Sequence, residues 1–373
     1  MGVKLIKFVD KFVGIPYCAI LGLFRVFYKK NLPSDVKRIL IIQLWGIGET
    51  VLTVPAIKAL KDKYKVSIEV LCTSRNKDVY FNYKFIDKLH VVDLGVFSLK
   101  WFILKNLRKY DIVVDMEEYL NISAIMAYFL GKFRVGYSHG VRAGLYDKKV
   151  RYNDKQHISK TFFDLVRLLG IKGNVNMLER LNYSNSDKKK VDSKLKERGI
   201  SNQFILGIAA GAAESAKCRR WPKENFAELI ERALKKKKGA KVILIGADYE
   251  KELNQSIINL IKDKKIRMNV FNFAGKISLR EAFYLISKCN VFVSNDTGPM
   301  HVAAAMDVRT IGLFGPNLPI RFGPLNKKSV SVYRRMVCSP CINVHKGEIP
   351  ECFKDENGEC MKAIKVKDVL EYV

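Results

Sequence analysis

From Arg38 onward the chain alternates between short apolar runs and longer segments whose apolar residues recur at helical spacing. Ile39–Leu44 predicts a strand, Ala56–Lys63 part of a helix, and Ser67–Leu71 and Leu89–Val92 two further strands. A helix over Leu99–Arg108, a strand at Ile112–Val114, a helix around Ile122–Leu130 and a strand at Phe133–Val135 continue the series. Apolar strands that alternate with helices build a doubly wound unit, in which helices cover both faces of a parallel sheet. After a helix at Ile158–Leu169, the polar, lysine-rich stretch Asn182–Lys196 predicts a connection between domains. A second cycle follows, with strands at Phe204–Ile208, Val242–Ile245, Val270–Phe273, Val291–Val293 and Thr310–Phe314. The expected architecture is α/β: two Rossmann-like doubly wound domains facing a cleft, over 36–185 and 186–337. A distinct segment precedes them over 1–35, and a cysteine-rich segment with a terminal helix follows over 338–373.

Both cycles place glycine-rich turns after their first strands, Gln43–Leu44–Trp45–Gly46–Ile47–Gly48–Glu49–Thr50 and Ala209–Ala210–Gly211–Ala212–Ala213. Glycine there permits a tight turn and a close backbone approach to a ligand. Neither turn has the G-x-G-x-x-G spacing of a dinucleotide site, and the chain has no Walker A sequence. A third junction, Val293–Ala305, compresses a strand end, a polar turn and a helix start. Asp296 or Thr297 stands at the N-cap, Pro299 in the first turn and His301 close behind. A helix N-terminus at the mouth of a sheet presents unpaired N–H groups and a positive dipole end, which suits a phosphate.

The net charge of +29 on 373 residues calls for an anionic partner without choosing among phosphorylated ligand, membrane and nucleic acid. No recognition helix, RNA-binding aromatic signature or zinc-finger spacing marks a nucleic-acid reader, so none is expected as partner. Phe12 to Phe24 is uncharged, broken by Gly14 and Pro16, and flanked by Lys4, Lys7, Lys11 and by Arg25, Lys29, Lys30. That run is short of the roughly 20 residues that span a bilayer. It predicts either a basic, apolar segment lying in the interface of an anionic leaflet or a helix packed on the protein's own body.

Four separated pieces resemble glycosyltransferase family 9, whose best-known members are the heptosyltransferases of lipopolysaccharide core assembly. They are Arg38–Ile42 with Ile47–Pro55, then Arg219–Phe226, then Ala274–Lys276 with Ser278 and Leu279, and Asn295–His301 followed by Phe314–Pro316. The resemblance implies a GT-B fold with the acceptor on the N-terminal domain and a nucleotide-sugar donor, ADP-heptose first, on the C-terminal one. It also implies metal-independent, inverting transfer to a lipopolysaccharide-type acceptor by a cytoplasmic enzyme peripheral to the inner face of the membrane. Inversion requires a base for the acceptor hydroxyl. Glu49 is the candidate, where the family usually carries Asp; a helix-capping acid is the other reading of the same residue. Gly46, Gly48 and Thr50 surround it on the acceptor side.

A departing nucleoside diphosphate needs preorganised donors when no metal neutralises it, and the chain has no Asp-x-Asp motif. Arg219 stands where the family has a lysine. Lys217, Arg220, Gly211 and the turn Thr297, Gly298, His301 are expected to share the work. Asp296 is expected to cap the helix or accept from donor hydroxyls, and Asp248 to bind ribose or lie at the surface. A donor other than ADP-heptose, a nucleotide-sugar epimerase of the same fold, and a non-catalytic basic binding protein also fit these residues. Of eight cysteines, Cys18, Cys72, Cys218 and Cys289 are scattered. Cys338, Cys341, Cys352 and Cys360 cluster with one C-x-x-C pair, which predicts a structural zinc, two bridges or free thiols.

Overall fold

The computed structural model describes residues 8–24, 30–348, 352 and 358–373. Lys4, Lys7, Arg25 and Lys29 of the flanking basic set lie outside the described residues. The chain forms two compact units, Met1–Val175 with Val344–Gly347, and Asn176–Asn343 with Glu348–Val373.

The first unit is built on β1 (Arg38–Ile42), β2 (Ser67–Cys72), β3 (Lys88–Val91), β4 (Tyr110–Asp115), β5 (Gly131–Tyr137) and β6 (Lys148–Val150). All pair in parallel in the order β3-β2-β1-β4-β5-β6. Ile39, Leu40, Ile41 and Ile42 are all fully buried, as a central strand covered on both faces must be. The helices are α1 (Ile15–Leu23), α2 (Ile47–Tyr64), α3 (Val96–Lys105), α4 (Asn121–Leu130) and α5 (Ile158–Arg167). Helix α2 contains the expected stretch Ala56–Lys63, extends it at both ends and runs through Pro55. Its buried apolar face, from Val51 to Leu60, holds the segment helical across the ring.

The second unit repeats the plan with β7 (Ile205–Ala209), β8 (Lys241–Leu244), β9 (Val270–Asn272), β10 (Val291–Asn295), β11 (Arg309–Phe314) and β12 (Val330–Tyr333). Their order is β12-β11-β10-β7-β8-β9, again parallel. Around the sheet lie α6 (Asn185–Lys196), α7 (Lys223–Lys236), α8 (Lys251–Leu260), α9 (Leu279–Ser287) and α10 (Gly298–Ala305). The stretch expected as a connection is thus mostly helix α6. Ser184 and Asp187 form a reciprocal capping box at its start, and Val191 and Leu195 bury one narrow face. The chain passes from the first unit into the second after Val175 and returns to the first over Val344–Gly347. The terminal helix Val366–Leu370 is present and packs on α7.

Helix α1 and the π-type turn Asp10–Gly14 before it lie on α4. The Asp10 carboxylate accepts from the Asn121 N–H at 3.0 Å and the Ile122 N–H at 2.8 Å, capping α4 from a distant part of the chain. A Cβ on Gly14 would come within 2.9 Å of the Asn121 side chain, so glycine sets the approach. Asp10, Gly14 and Cys18 face inward, while Phe8, Phe12, Val13, Ile20, Leu23 and Phe24 are exposed. The exposed face is therefore apolar and the buried one holds an acid. The segment thus packs on the protein's own body through that inner face.

Candidate active site

In both sheets the strand order reverses between two neighbouring parallel strands, β1 beside β4 and β7 beside β10. Turns leaving the carboxyl ends of such a pair splay apart and leave room for a ligand.

In the first unit, the chain leaves β1 through Gln43–Trp45 and turns at Gly46, whose φ of +62° suits glycine alone. Glu49, in the first turn of α2, folds its carboxylate back over that turn. A Cβ on Gly46 would lie 1.9 Å from Glu49 Oε2. Glu49 is half-buried, and its negative charge, after burial and the charge of Glu117, helps push the Tyr119 hydroxyl pKa upward. Thr50 is fully buried. Its hydroxyl donates to the Gly46 carbonyl at 2.6 Å and accepts from Asn76 Nδ2 at 2.8 Å, so it shapes the turn from within, and Gly48 is buried beside it. Asn76 also donates to the Gln43 carbonyl at 2.9 Å.

Glu117, just past β4, completes the turn. Its Oε1 accepts from the Leu44 N–H, from the Trp45 N–H at 2.8 Å and from Gln43 Nε2 at 3.2 Å. Burial, and after it the nearby Asp115, raises the Glu117 pKa to about 8. Asp115 is itself held by Arg142 at 2.7 Å, Tyr146 at 2.6 Å and Ser123 at 2.8 Å. Sequence reasoning missed Glu117. The available signal was a pair of acids, Glu117 and Glu118, between the apolar strand Ile112–Val114 and the apolar helix after it.

In the second unit, one buried side chain joins three sequence motifs. Asn295 Nδ2 donates to the Ala210 carbonyl at 2.8 Å and the Gly211 carbonyl at 3.2 Å, and Asn295 Oδ1 accepts from the Trp221 N–H at 3.1 Å. The glycine turn after β7, the Arg219–Trp221 segment and the end of β10 are thereby fixed together. Arg219 Nη1 donates to the Asp296 carbonyl at 3.2 Å and lies 3.6 Å from Asp296 Oδ2, which accepts from Asn317 Nδ2 at 2.9 Å. Arg219 Nε and Arg220 Nε are buried without a hydrogen-bond partner among the described residues. Arg220 donates to the Ala212 carbonyl and to Glu214, each at 2.9 Å, and Lys217 lies 3.8 Å from Glu214.

Helix α10 begins at Gly298 with Thr297 at its N-cap, and neither Asp296 nor Thr297 caps it through a side chain. The Thr297 hydroxyl turns back to the Asn295 carbonyl at 3.3 Å, and Asp296 is committed to Arg219 and Asn317, so the expected Asp296 cap is absent. His301 is buried in the first turn. Asp248 is exposed beside Gly275 at the start of a short 3-10 turn. Glu250 at the end of that turn is a residue that the sequence did not single out. Its carboxylate fills the space beside Gly211, where a Cβ would lie 1.6 Å from Oε1, and burial raises its pKa.

Trp221 is a packing wedge, donating its indole N–H to the Ile364 carbonyl at 3.0 Å and meeting Phe226 edge-on. Cys338, Cys341, Cys352 and Cys360 are all free thiols, as are Cys18, Cys72, Cys218 and Cys289. Among the described residues no group of three or more His, Cys, Asp or Glu side chains is arranged to hold a metal ion, so a structural zinc, one of the three readings of this cluster, has no ligand set there. Cys360 is instead buried against Gly315, and burial raises its pKa to about 12.

Two parallel six-stranded sheets, each with glycine-rich turns at the point of strand reversal, make up a GT-B fold. The structure of a family 9 glycosyl transferase from Veillonella parvula superposes with a TM-score of 0.75 at 21% identity, covering 91% of this chain and 96% of that one. The structure of Escherichia coli ADP-heptose lps heptosyltransferase II gives 0.70 at 20% identity, covering 90% and 97%. The family model for glycosyltransferase family 9 (heptosyltransferase) matches residues 102–349, and the chain belongs to that family. A lipooligosaccharide heptosyltransferase 2 of Campylobacter jejuni is 24% identical over 333 residues, 87% of this chain and 93% of that protein. The protein is a glycosyltransferase. No helix among the described residues is long and apolar enough to cross a membrane.

Proposed function

We propose that this enzyme transfers heptose from ADP-heptose to a lipopolysaccharide-type core acceptor, inverting the anomeric centre without a metal. The observation that carries the reading is the family 9 match, which runs through both the Arg219–Trp221 and Asn295–His301 segments. A relative aligned along most of its length is named as a lipooligosaccharide heptosyltransferase. In the proposed step the acceptor oxygen attacks the anomeric carbon, its proton passes to the Glu49 carboxylate, and the bond from that carbon to the phosphate oxygen breaks to release ADP. Arg219 and the N–H groups that open α10 meet the growing charge on the pyrophosphate. The Asp296 carboxylate, held at one oxygen by Asn317 and near Arg219, is a candidate acceptor for donor hydroxyls. Arg offers phosphate a planar two-point fork where lysine would offer a point charge.

A lipid-linked acceptor places the enzyme at the inner face of the cytoplasmic membrane, and the apolar outer face of residues 8–24 suits an interfacial position there. Two measurements test the enzyme reading. ADP should raise the melting temperature where UDP and GDP do not, because a ligand stabilises the state that binds it. Glu49→Gln should keep that ADP shift while transfer slows by about 10²-fold or more. Preference for UDP or GDP would remove ADP-heptose as donor, and wild-type turnover in the variant would remove Glu49 as base. Conversion of the donor sugar without any acceptor would replace transfer by epimerisation.

A further inference from the structure

Helix α3 carries apolar side chains on two opposite faces. Leu99 is buried in the core of the first unit, with Phe102 and Ile103 packed partly against it, and α3 as well as α1 rests on α4. The opposite stripe carries Phe97, Trp101 and Leu104, one helical turn apart, with Val96 before them and Leu107 just after. Phe97 is 90% exposed and Trp101 70%. Between Asp93 and Asp111 the chain has no acidic residue, while Lys100, Lys105, Arg108 and Lys109 all fall there. Lys100, Lys105 and Arg108 are exposed.

We infer that this outer face of α3 is a lipid-inserting surface whose partner is an anionic bilayer, with Phe97, Trp101 and Leu104 entering the interface and the flanking cations meeting lipid phosphates. A contiguous row of exposed large apolar side chains marks a docking surface more often than a solvated one. The charge around it selects the occupant. A second copy of the chain would bring the same cations face to face, whereas an anionic leaflet offers apolar depth beneath a negative surface. Tryptophan belongs at such a boundary, with its ring in the acyl region and its N–H toward the head groups. The inference shares its partner with the proposal for residues 8–24 but rests on another element, so the two can fail separately.

The test uses the full chain with vesicles of phosphatidylcholine, with and without phosphatidylglycerol. Wild type should sediment with the anionic vesicles only, and brominated lipid should quench an emission that is missing in Trp101→Phe. Phe97→Ser combined with Trp101→Ser should weaken vesicle binding by at least about tenfold while the ADP-induced melting shift stays unchanged. Equal quenching in Trp101→Phe, or full binding by the Phe97/Trp101 variant beside its loss in Phe12→Ser with Phe24→Ser, would overturn the α3 assignment and leave the N-terminal one standing. Absence of wild-type binding would overturn both. Concentration-dependent dimerisation abolished by the Phe97/Trp101 variant, without vesicle binding, would give the surface to a second copy instead.

Discussion

Replacing Glu117 by Gln exchanges a carboxyl group for its neutral isostere at the point where one oxygen collects the Leu44 and Trp45 N–H groups and the Gln43 amide. Burial and then the neighbouring Asp115 lift this pKa from 4.5 to about 8, against the two backbone donations that favour the anion. The folded protein therefore keeps a proton that the unfolded chain releases. The resulting stability is fully present below the unfolded value and is lost progressively as pH rises toward the folded one. At 1.36 kcal/mol per pH unit, the loss between those limits integrates to about 5 kcal/mol. Glutamine has no proton to release, so the loss should vanish in Glu117→Gln. Urea unfolding of both proteins from about pH 5 to about pH 9 should show the variant gaining on wild type by about 4 kcal/mol, levelling off above pH 8. A difference that stays flat across that range would mean that Glu117 is ionised in the native state, and the account of the turn would be wrong.

Gly46→Ala forces a side chain onto a positive-φ position and into the space of the Glu49 carboxylate. It should cost about 1–3 kcal/mol in thermal denaturation and lower kcat more than it raises donor KM. Asn295→Ala removes the amide that ties three segments together and leaves the Trp221 N–H without its acceptor. A loss of about 2–4 kcal/mol by urea denaturation is expected, together with weaker ADP binding by calorimetry. Arg219→Ala should raise donor KM by about tenfold or more, and Arg219→Lys should recover part of it, as measured by steady-state kinetics. Unchanged donor KM in Arg219→Ala would remove this side chain from the pyrophosphate contacts.

Much of the frame was legible because buried parallel strands are written as apolar runs. Ile39–Ile42, Ile205–Ile208 and Val291–Val293 could hardly be anything else, and Pro299 placed the start of α10. Three features resisted. The edge strand Lys148–Val150 is exposed enough to carry two lysines, so it shows no strand pattern. Helix α6 buries only a narrow face, so its polar sequence resembles a linker although Ser184 and Asp187 hold its start. Helix α2 crosses Pro55, which by local rules should end a helix, because its buried apolar face outweighs one missing backbone bond. The sequence alone settled the residue types at each strand end, including Glu49, Arg219 and the Asn295–His301 corner. The tertiary structure alone decided which of those ends adjoin. Strand order in a parallel sheet is set by packing between segments far apart in the chain, and local periodicity carries no record of it. Glu117 reaching the Leu44 and Trp45 amides, and Asn295 reaching Ala210 and Trp221, exist only because β4 folds beside β1 and β10 beside β7.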